Sequence, residues 1–205
     1  MILKVMETGP LQVNTYIVGD SESGLAAVID PGGDADEILE QLNKNKLKCQ
    51  LIINTHTHFD HSGGNARLKK LTGAPLLTHP DEAEPLQHLS GLGLMMGIRV
   101  EDSPMPDQFA REGDVIKLGS IEMKVIELPG HSPCAIGLLF DKYAIVGDAL
   151  FAGSIGRTDF PGGNFDILTE NIRKKLFILP DDTVVLPGHG PATTIGREKK
   201  INPFF

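Results

Sequence analysis

What the chain lacks narrows its role first. No run approaches the roughly 18 consecutive apolar residues that a membrane-spanning helix needs, so no bilayer span is expected. The stretch Met1 to Pro10 meets Glu7, Gly9 and Pro10 too soon to form the apolar centre of a secretory leader, and none is expected. Cysteine is scarce. Cys49 and Cys134 stand far apart and form no C-x-x-C pair, so a reducing, cytoplasmic setting is the plain expectation. Positive charge is in deficit, with 19 Lys and Arg against 27 Asp and Glu and a formal net charge of −8. There is no basic, aromatic-rich stretch either. Phosphate backbones want a basic surface, so a small molecule rather than nucleic acid is the expected partner.

What is present fits one globular unit. The 205 residues are 40% hydrophobic and 22% charged, enough to bury one sizeable core, and no low-complexity linker divides them. A single domain over 1–205 is expected. Short apolar runs at Ile2–Met6, Asn14–Val18 and Leu25–Ile29 read as strands between Gly- and Pro-rich turns. Asp34 is placed to cap a helix reaching about Asn45, with Ile38, Leu39 and Leu42 on one face. A strand at Gln50–Asn54, a helix from about Gly64 to Thr72 and a strand at Pro75–Thr78 follow. Residues 80–108, rich in Gly and Pro around Leu94, Met95 and Met96, read as a partly helical excursion, either a flap or a packed connection. Strands are expected again at Val115–Leu118, Glu122–Leu128, Ala135–Phe140, Ala144–Val146 and Thr183–Leu186, with a helix over Phe165–Leu179. Strands alternating with helices in two similar halves predict two sheets between helical layers.

The chemistry-bearing residues gather at strand ends. His56-Thr57-His58-Phe59-Asp60-His61 directly follows the apolar Leu51-Ile52-Ile53. Imidazoles suit zinc and iron, and a carboxylate is an acceptable harder partner. On extended backbone His56 and His58 point to one side. Asp60 and His61 reach a different position after a turn that Gly63 and Gly64 would allow. A loop of solvated histidines is the bland alternative, and so dense a set of donors argues against it. Leu128-Pro129-Gly130-His131 and Leu186-Pro187-Gly188-His189 are the same tetrapeptide, each after a strand-like run. Proline and glycine bend the chain there. Either histidine alone reads as an ordinary loop residue; beside the first cluster both read as ligands. Asp148 follows Ala144-Ile145-Val146-Gly147, where a carboxylate could hold two cations with its two oxygens; standing alone it would read as a cap or turn residue. Open α/β sheets bind ligands beyond the carboxyl ends of their strands.

The H-x-H-x-D-H run, the later histidine, the aspartate and the last histidine resemble the metal motifs of the metallo-β-lactamase-like hydrolases, over Asp30 to His189. The resemblance implies an α/β fold, a four-layer αββα sandwich of two mixed β-sheets flanked by helices. It implies two divalent metal ions, zinc first, with iron or manganese as alternatives. His56, His58 and His131 would hold one, Asp60, His61 and His189 the other, and Asp148 would bridge, which also makes Asp60 and Asp148 the catalytic candidates. Asp30 matches the family's early strand-end aspartate, expected to hydrogen-bond within the site; an ordinary turn aspartate is the alternative.

Gly147-Asp148-Ala149-Leu150-Phe151 and Ser154-Ile155-Gly156-Arg157-Thr158-Asp159-Phe160 look like the glyoxalase II and persulfide dioxygenase branch, whose members act on glutathione conjugates. Arg157 lies near where a glyoxalase II uses a basic side chain to hold glutathione, and a guanidinium suits a carboxylate; an ion pair with Asp159 or Asp166 is the alternative. The chain continues only sixteen residues past His189. It therefore resembles the short bacterial-type, hydroxyacylglutathione hydrolase-like proteins, and the C-terminal helical region that grips glutathione is not expected. Cys134 stands where the family often has Gly and reads as a small buried residue rather than a reactive thiol. The implied activity is hydrolysis of a thioester such as S-lactoylglutathione, by attack of a metal-bridging hydroxide on the carbonyl. A thiol of pKa about 8–9 departs as thiolate with little protonation, whereas an amide or β-lactam nitrogen needs a proton donor. Asp148, where some β-lactamases carry a cysteine ligand, also favours a thioesterase or a lactonase. The alternative within the branch is a persulfide dioxygenase with one iron on two His and one Asp. Monomer and homodimer are both compatible. Residues 88–110 are left to shape the pocket, cover it or make a dimer contact.

Overall fold

The first six strands fold into one sheet. In the computed structural model, which describes residues 1–205, β1 (Ile2–Thr8), β2 (Val13–Asp20), β3 (Leu25–Ile29), β4 (Lys48–Ile53), β5 (Leu76–Thr78) and β6 (Gln108–Phe109) lie side by side in chain order. The first three run antiparallel and the last three join in parallel. The second sheet takes β7 (Val115–Leu118), β8 (Ile121–Glu127), β9 (Ile136–Phe140) and β10 (Tyr143–Gly147). After the small hairpin of β11 (Leu150–Phe151) and β12 (Ser154–Ile155), it adds β13 (Val184–Pro187) and β14 (Thr193–Thr194). Only the β10–β13 pair in this sheet is parallel.

Period-two alternation gives each sheet two apolar faces. Ala27, Ile29, Ile53, Leu77, Met123, Val125, Leu138 and Ile145 meet between the sheets. The outer face of the first sheet buries Ile17, Val28 and Ile52 under α1 (Ala35–Lys44) and α3 (Asn65–Thr72), through Ile38, Leu42 and Leu68. The short helix α2 (Phe59–Ser62) sits between those two in the chain, and α4 (Leu89–Met95) follows them. The outer face of the second sheet buries Val146 and Val185 under Leu168, Ile172 and Ile195, carried by α5 (Phe165–Asn171), one π-turn beyond it, and α6 (Ile195–Ile201). Each such aliphatic side chain contributes about 1.5–3 kcal/mol on burial. The layers are those of the expected αββα sandwich.

Two local expectations need revision and one open alternative is resolved. Asp34 does not cap α1: its backbone is left-handed at φ 49°, and its carboxylate accepts from the Gly9 amide at 2.8 Å instead. Gly63 and Gly64 do not supply a special turn, since both are right-handed helical. They are needed for close approach: a Cβ on Gly64 would lie 2.7 Å from the Pro31 carbonyl oxygen, and one on Gly63 2.8 Å from that of Gly32. The stretch 80–108 is helical in part and packed: Leu86 and Leu89 are fully buried, and α4 rests on α2, while Leu94, Met95 and Met96 face solvent.

Cys49, on β4, is buried, which pushes its thiol up to about 11. An unfolded chain ionises this thiol near its ordinary value of 9.0. Between the two values the unfolded state binds fewer protons, so stability falls as pH rises through that window. Relative to Cys49→Ala, the wild-type chain is expected to lose roughly 2–3 kcal/mol between pH 9 and 11, read by urea denaturation. Parallel pH profiles for the two proteins would contradict it.

Candidate metal centre

All seven candidate donors stand beyond carboxyl ends of strands at one edge of the sandwich. β4 leads through Asn54 and Thr55 into His56 and His58, and α2 then turns Asp60 and His61 back toward them. β8 leads to His131, β10 to Asp148 and β13 to His189. Two glycines make the convergence sterically feasible. Gly147 is left-handed at φ 51°, and a Cβ there would sit 2.5 Å from Thr55 Oγ1. A Cβ on Gly188 would sit 2.1 Å from Asp148 Oδ1.

The donors form three overlapping groups. His56, His58 and His131 make one, His56, His61 and Asp148 a second, and Asp60, His61 and His189 a third. His58 Nδ1 lies 3.1 Å from His56 Nε2 and 3.0 Å from His131 Nε2. Asp148 spans the groups: Oδ1 is 3.3 Å from His61 Nε2, and Oδ2 is 3.6 Å from His131 Nε2 and 3.8 Å from His189 Nε2. His189 Nε2 is 3.2 Å from Asp60 Oδ2.

Each central imidazole is held by its other nitrogen. His131 Nδ1 lies 2.8 Å from the Arg157 carbonyl oxygen, which can only accept. His61 Nδ1 lies 3.0 Å from Asp30 Oδ2. Thr55 Oγ1 donates to the same Asp30 oxygen at 2.7 Å and so is free to accept from His56 Nδ1 at 3.1 Å. The Thr55 amide fixes Asp30 Oδ1 at 2.7 Å. The backing pattern turns the lone pairs of His56, His61 and His131 inward, as metal-binding histidines require. It also leaves His61 Nε2 and Asp148 Oδ1 as buried polar atoms without any hydrogen-bond partner. Buried polar groups are ordinarily satisfied. A ring nitrogen facing a carboxylate oxygen at 3.3 Å, both buried, is the environment a cation would satisfy, so the donor set fits one.

The electrostatics divide the histidines. Burial, then the neighbouring imidazoles, hold His56 well below its ordinary value and bring His58 down to about 4. Burial also opposes charge on His61, but Asp148, Asp30 and Asp60 outweigh it and lift the ring well above its ordinary value, so that without a cation a proton takes the inward position on Nε2 that a cation would displace. For Asp60 burial is likewise overcome, by His61 and His189, and the carboxyl stays ionised.

The Arg157 side chain turns outward. Its guanidinium takes both oxygens of Asp159 at 3.0 and 2.8 Å and stacks 4.3 Å over the ring of Phe160. That half-buried ring is steeply inclined to those of His58 and His131, at 5.5 and 6.3 Å between centroids.

Glu82, Thr55, Tyr16 and Phe160 escaped the reading of the sequence. Glu82 is buried, and its carboxylate accepts from the Thr57 amide and hydroxyl on one side and from the Cys134 amide on the other, at 3.0–3.1 Å. It thereby ties the loop of His56 and His58 to the loop of His131. Tyr16 donates to the Pro187 carbonyl at 2.7 Å and steadies the last loop from the opposite sheet. No local pattern announces these residues; Thr55 alone, immediately before the histidine run, had a signal that could have been used.

A family model described as the Metallo-beta-lactamase superfamily matches residues 8–189. The hydroxyacylglutathione hydrolase GloC of Haemophilus influenzae is 36% identical over 209 residues, which cover 100% of this chain and 98% of that protein. Among solved structures, the BLEG-1 B3 metallo-beta-lactamase superposes with a TM-score of 0.92 at 34% identity, over 99% of both chains. TTHA1623 in a di-iron-bound form superposes at 0.91 and 34%, over 98% of this chain and 100% of that one. ETHE1 from Myxococcus xanthus superposes at 0.82 and 30%, over 99% of this chain and 84% of that one. With the fold, the strand-end donors and a match over most of its length in agreement, the chain belongs to the metallo-beta-lactamase superfamily.

Proposed function

We propose that this chain is a dinuclear metal-dependent hydrolase of thioesters, with hydroxyacylglutathione thioesters as the first substrate class. The observation that carries the reading is Asp148, whose oxygens face histidines of different donor groups while Oδ1 and His61 Nε2 lack any other partner. His56, His58 and His131 would hold one cation and Asp60, His61 and His189 the other, with Asp148 between them. A pair of divalent cations supplies a nucleophilic water near neutral pH and Lewis acidity toward a carbonyl. Zinc is the first expectation; imidazole and carboxylate also accept iron and manganese, and the di-iron relative supports iron.

The chain's own residues do the rest. Asp60, held ionised, can accept a hydrogen bond from an attacking water and orient it. Half-buried Phe160 forms an apolar wall beside His58 and His131 against which the acyl-thioester linkage would pack. Arg157, on the outer face of that wall, is placed to exchange Asp159 for a substrate carboxylate. The departing thiol needs no proton donor. The similarity to GloC over nearly its full length supports the thioester over an amide.

The test is to purify the protein without added metal, quantify zinc, iron and manganese, and assay the same sample on S-lactoylglutathione. About two metal ions per chain, with cleavage abolished by His58→Ala, is the expected result. About one iron per chain, no hydrolysis and oxygen uptake with glutathione persulfide would replace this reading by the dioxygenase one.

A further inference from the structure

A second set of donors lies outside the centre. His79 follows β5, Asp81 lies in the 3-10 turn Pro80–Glu82, and Cys134 precedes β9. Their ligand atoms all lie within 4.8 Å of one another. Asp81 Oδ2 stands 3.8 Å from both His79 Nδ1 and Cys134 Sγ. We propose that His79, Asp81 and Cys134 form a peripheral site for a single thiophilic divalent cation, of the chemical class of Zn2+ or Cd2+, distinct from the seven-donor centre.

Three independent features support it. First, His79 is buried and its Nε2 meets Glu127 Oε1 at 3.2 Å. A carboxylate on one ring nitrogen fixes the tautomer and bares the lone pair of the other, the arrangement that orients metal-binding histidines. Here that lone pair, on Nδ1, takes only the Asp81 amide at 3.1 Å, which a cation would displace. Second, the Cys134 amide is anchored on Glu82 at 3.0 Å, so its sulfur is presented from fixed backbone. Third, the half-buried sulfur and the exposed Asp81 carboxylate leave the cluster open to solvent, with a fourth position free for water. Tetrahedral zinc accepts such a mixed set. Burial, then the carboxylates of Asp81, Glu82 and Glu127, push the thiol up to about 11, and the same negative field attracts a cation. Arg111, 3.8 Å from Asp81, is exposed enough to swing aside. On binding, the sulfur forms a bond to the cation and its proton passes to solvent.

Sulfur makes the test selective, because the seven-donor centre contains no cysteine and Cys49 is buried. The protein as isolated, with its centre loaded, is titrated with Cd2+ and followed by thiolate-to-cadmium charge-transfer absorption. The expected result is a band saturating at one equivalent and absent from Cys134→Ser. Asp81→Asn and Glu127→Gln should each weaken it by about 10–100-fold. No band in the wild-type protein overturns the proposal, as does a band of undiminished affinity in both carboxylate variants, which would mark a thiol binding alone. The signal does not depend on thioester hydrolysis, so its failure and the failure of the functional reading are separately visible.

Discussion

Asp148→Asn is expected to reduce metal content from about two ions per chain toward one and to lower kcat/KM for thioester cleavage by about 10³-fold, or ~4 kcal/mol of transition-state stabilisation. The side chain keeps its shape but loses the charge that faces His61, His131 and His189. It also places an amide N–H where a carboxylate oxygen stood, and a donor cannot share a cation. The metal-free variant should still fold, but less stably than the wild type, because His61, His131 and His189 hold the Asp148 carboxyl ionised below its ordinary range in the folded chain and that attraction is lost. Metal analysis, steady-state kinetics and urea denaturation of the metal-free proteins together separate a loss of metal from a loss of fold. Full metal content with more than a tenth of wild-type activity would remove Asp148 from the centre.

Gly188→Ala is expected to act on the same point from the backbone side. The added methyl would stand 2.1 Å from Asp148 Oδ1 and 2.6 Å from His61 Cε1. The Gly188 backbone is not in the left-handed region, so alanine meets no conformational penalty there and the damage is steric. Overpacking of this kind costs about 1–3 kcal/mol. The larger consequence is displacement of two donors at once, with metal affinity falling about 10–100-fold by analogy with disturbed ligand orientation. Gly73→Ala is the control. Gly73 ends α3 with φ 69° and open space around it. It should cost about 1–2 kcal/mol of stability and leave metal affinity unchanged. Competition with a chromophoric chelator distinguishes the two; equal affinities in both variants would defeat the steric argument.

Much of the arrangement was legible in the sequence because it is written in local patterns. A strand end followed by a histidine or an aspartate, four times over, is a statement about short stretches, and period-two alternation fixed the layers that place those ends on one edge. What escaped is tertiary. Glu82 matters because a turn after β5 carries it to the loops at both sides of the centre, and nothing in Pro80-Asp81-Glu82 distinguishes it from a solvated acidic turn. Asp34 carried a helix-cap signal, yet the Gly9 amide, twenty-five residues away, offered its carboxylate a better partner. Gly63 and Gly64 suggested a turn, whereas their function is the absence of side chains against Pro31 and Gly32. Arg157 shows both sides of the problem: the ion pair with Asp159 follows from a spacing of two residues, but the use of its carbonyl to hold His131 could not be read from any side-chain pattern.

The first sheet delivers His56, His58, Asp60 and His61, and the second delivers His131, Asp148 and His189. Neither half of the sandwich carries the complete set. A cation pair bound there would therefore act as a rivet through both halves, closing a seam whose other fastenings are the apolar layer and contacts such as Tyr16 to Pro187. By mass action its affinity is added to the free energy that keeps the halves together. Starving the protein of metal would then do more than idle the chemistry: it would loosen the joint itself, so that resistance to proteolysis at that edge becomes a gauge of how much metal the surroundings provide.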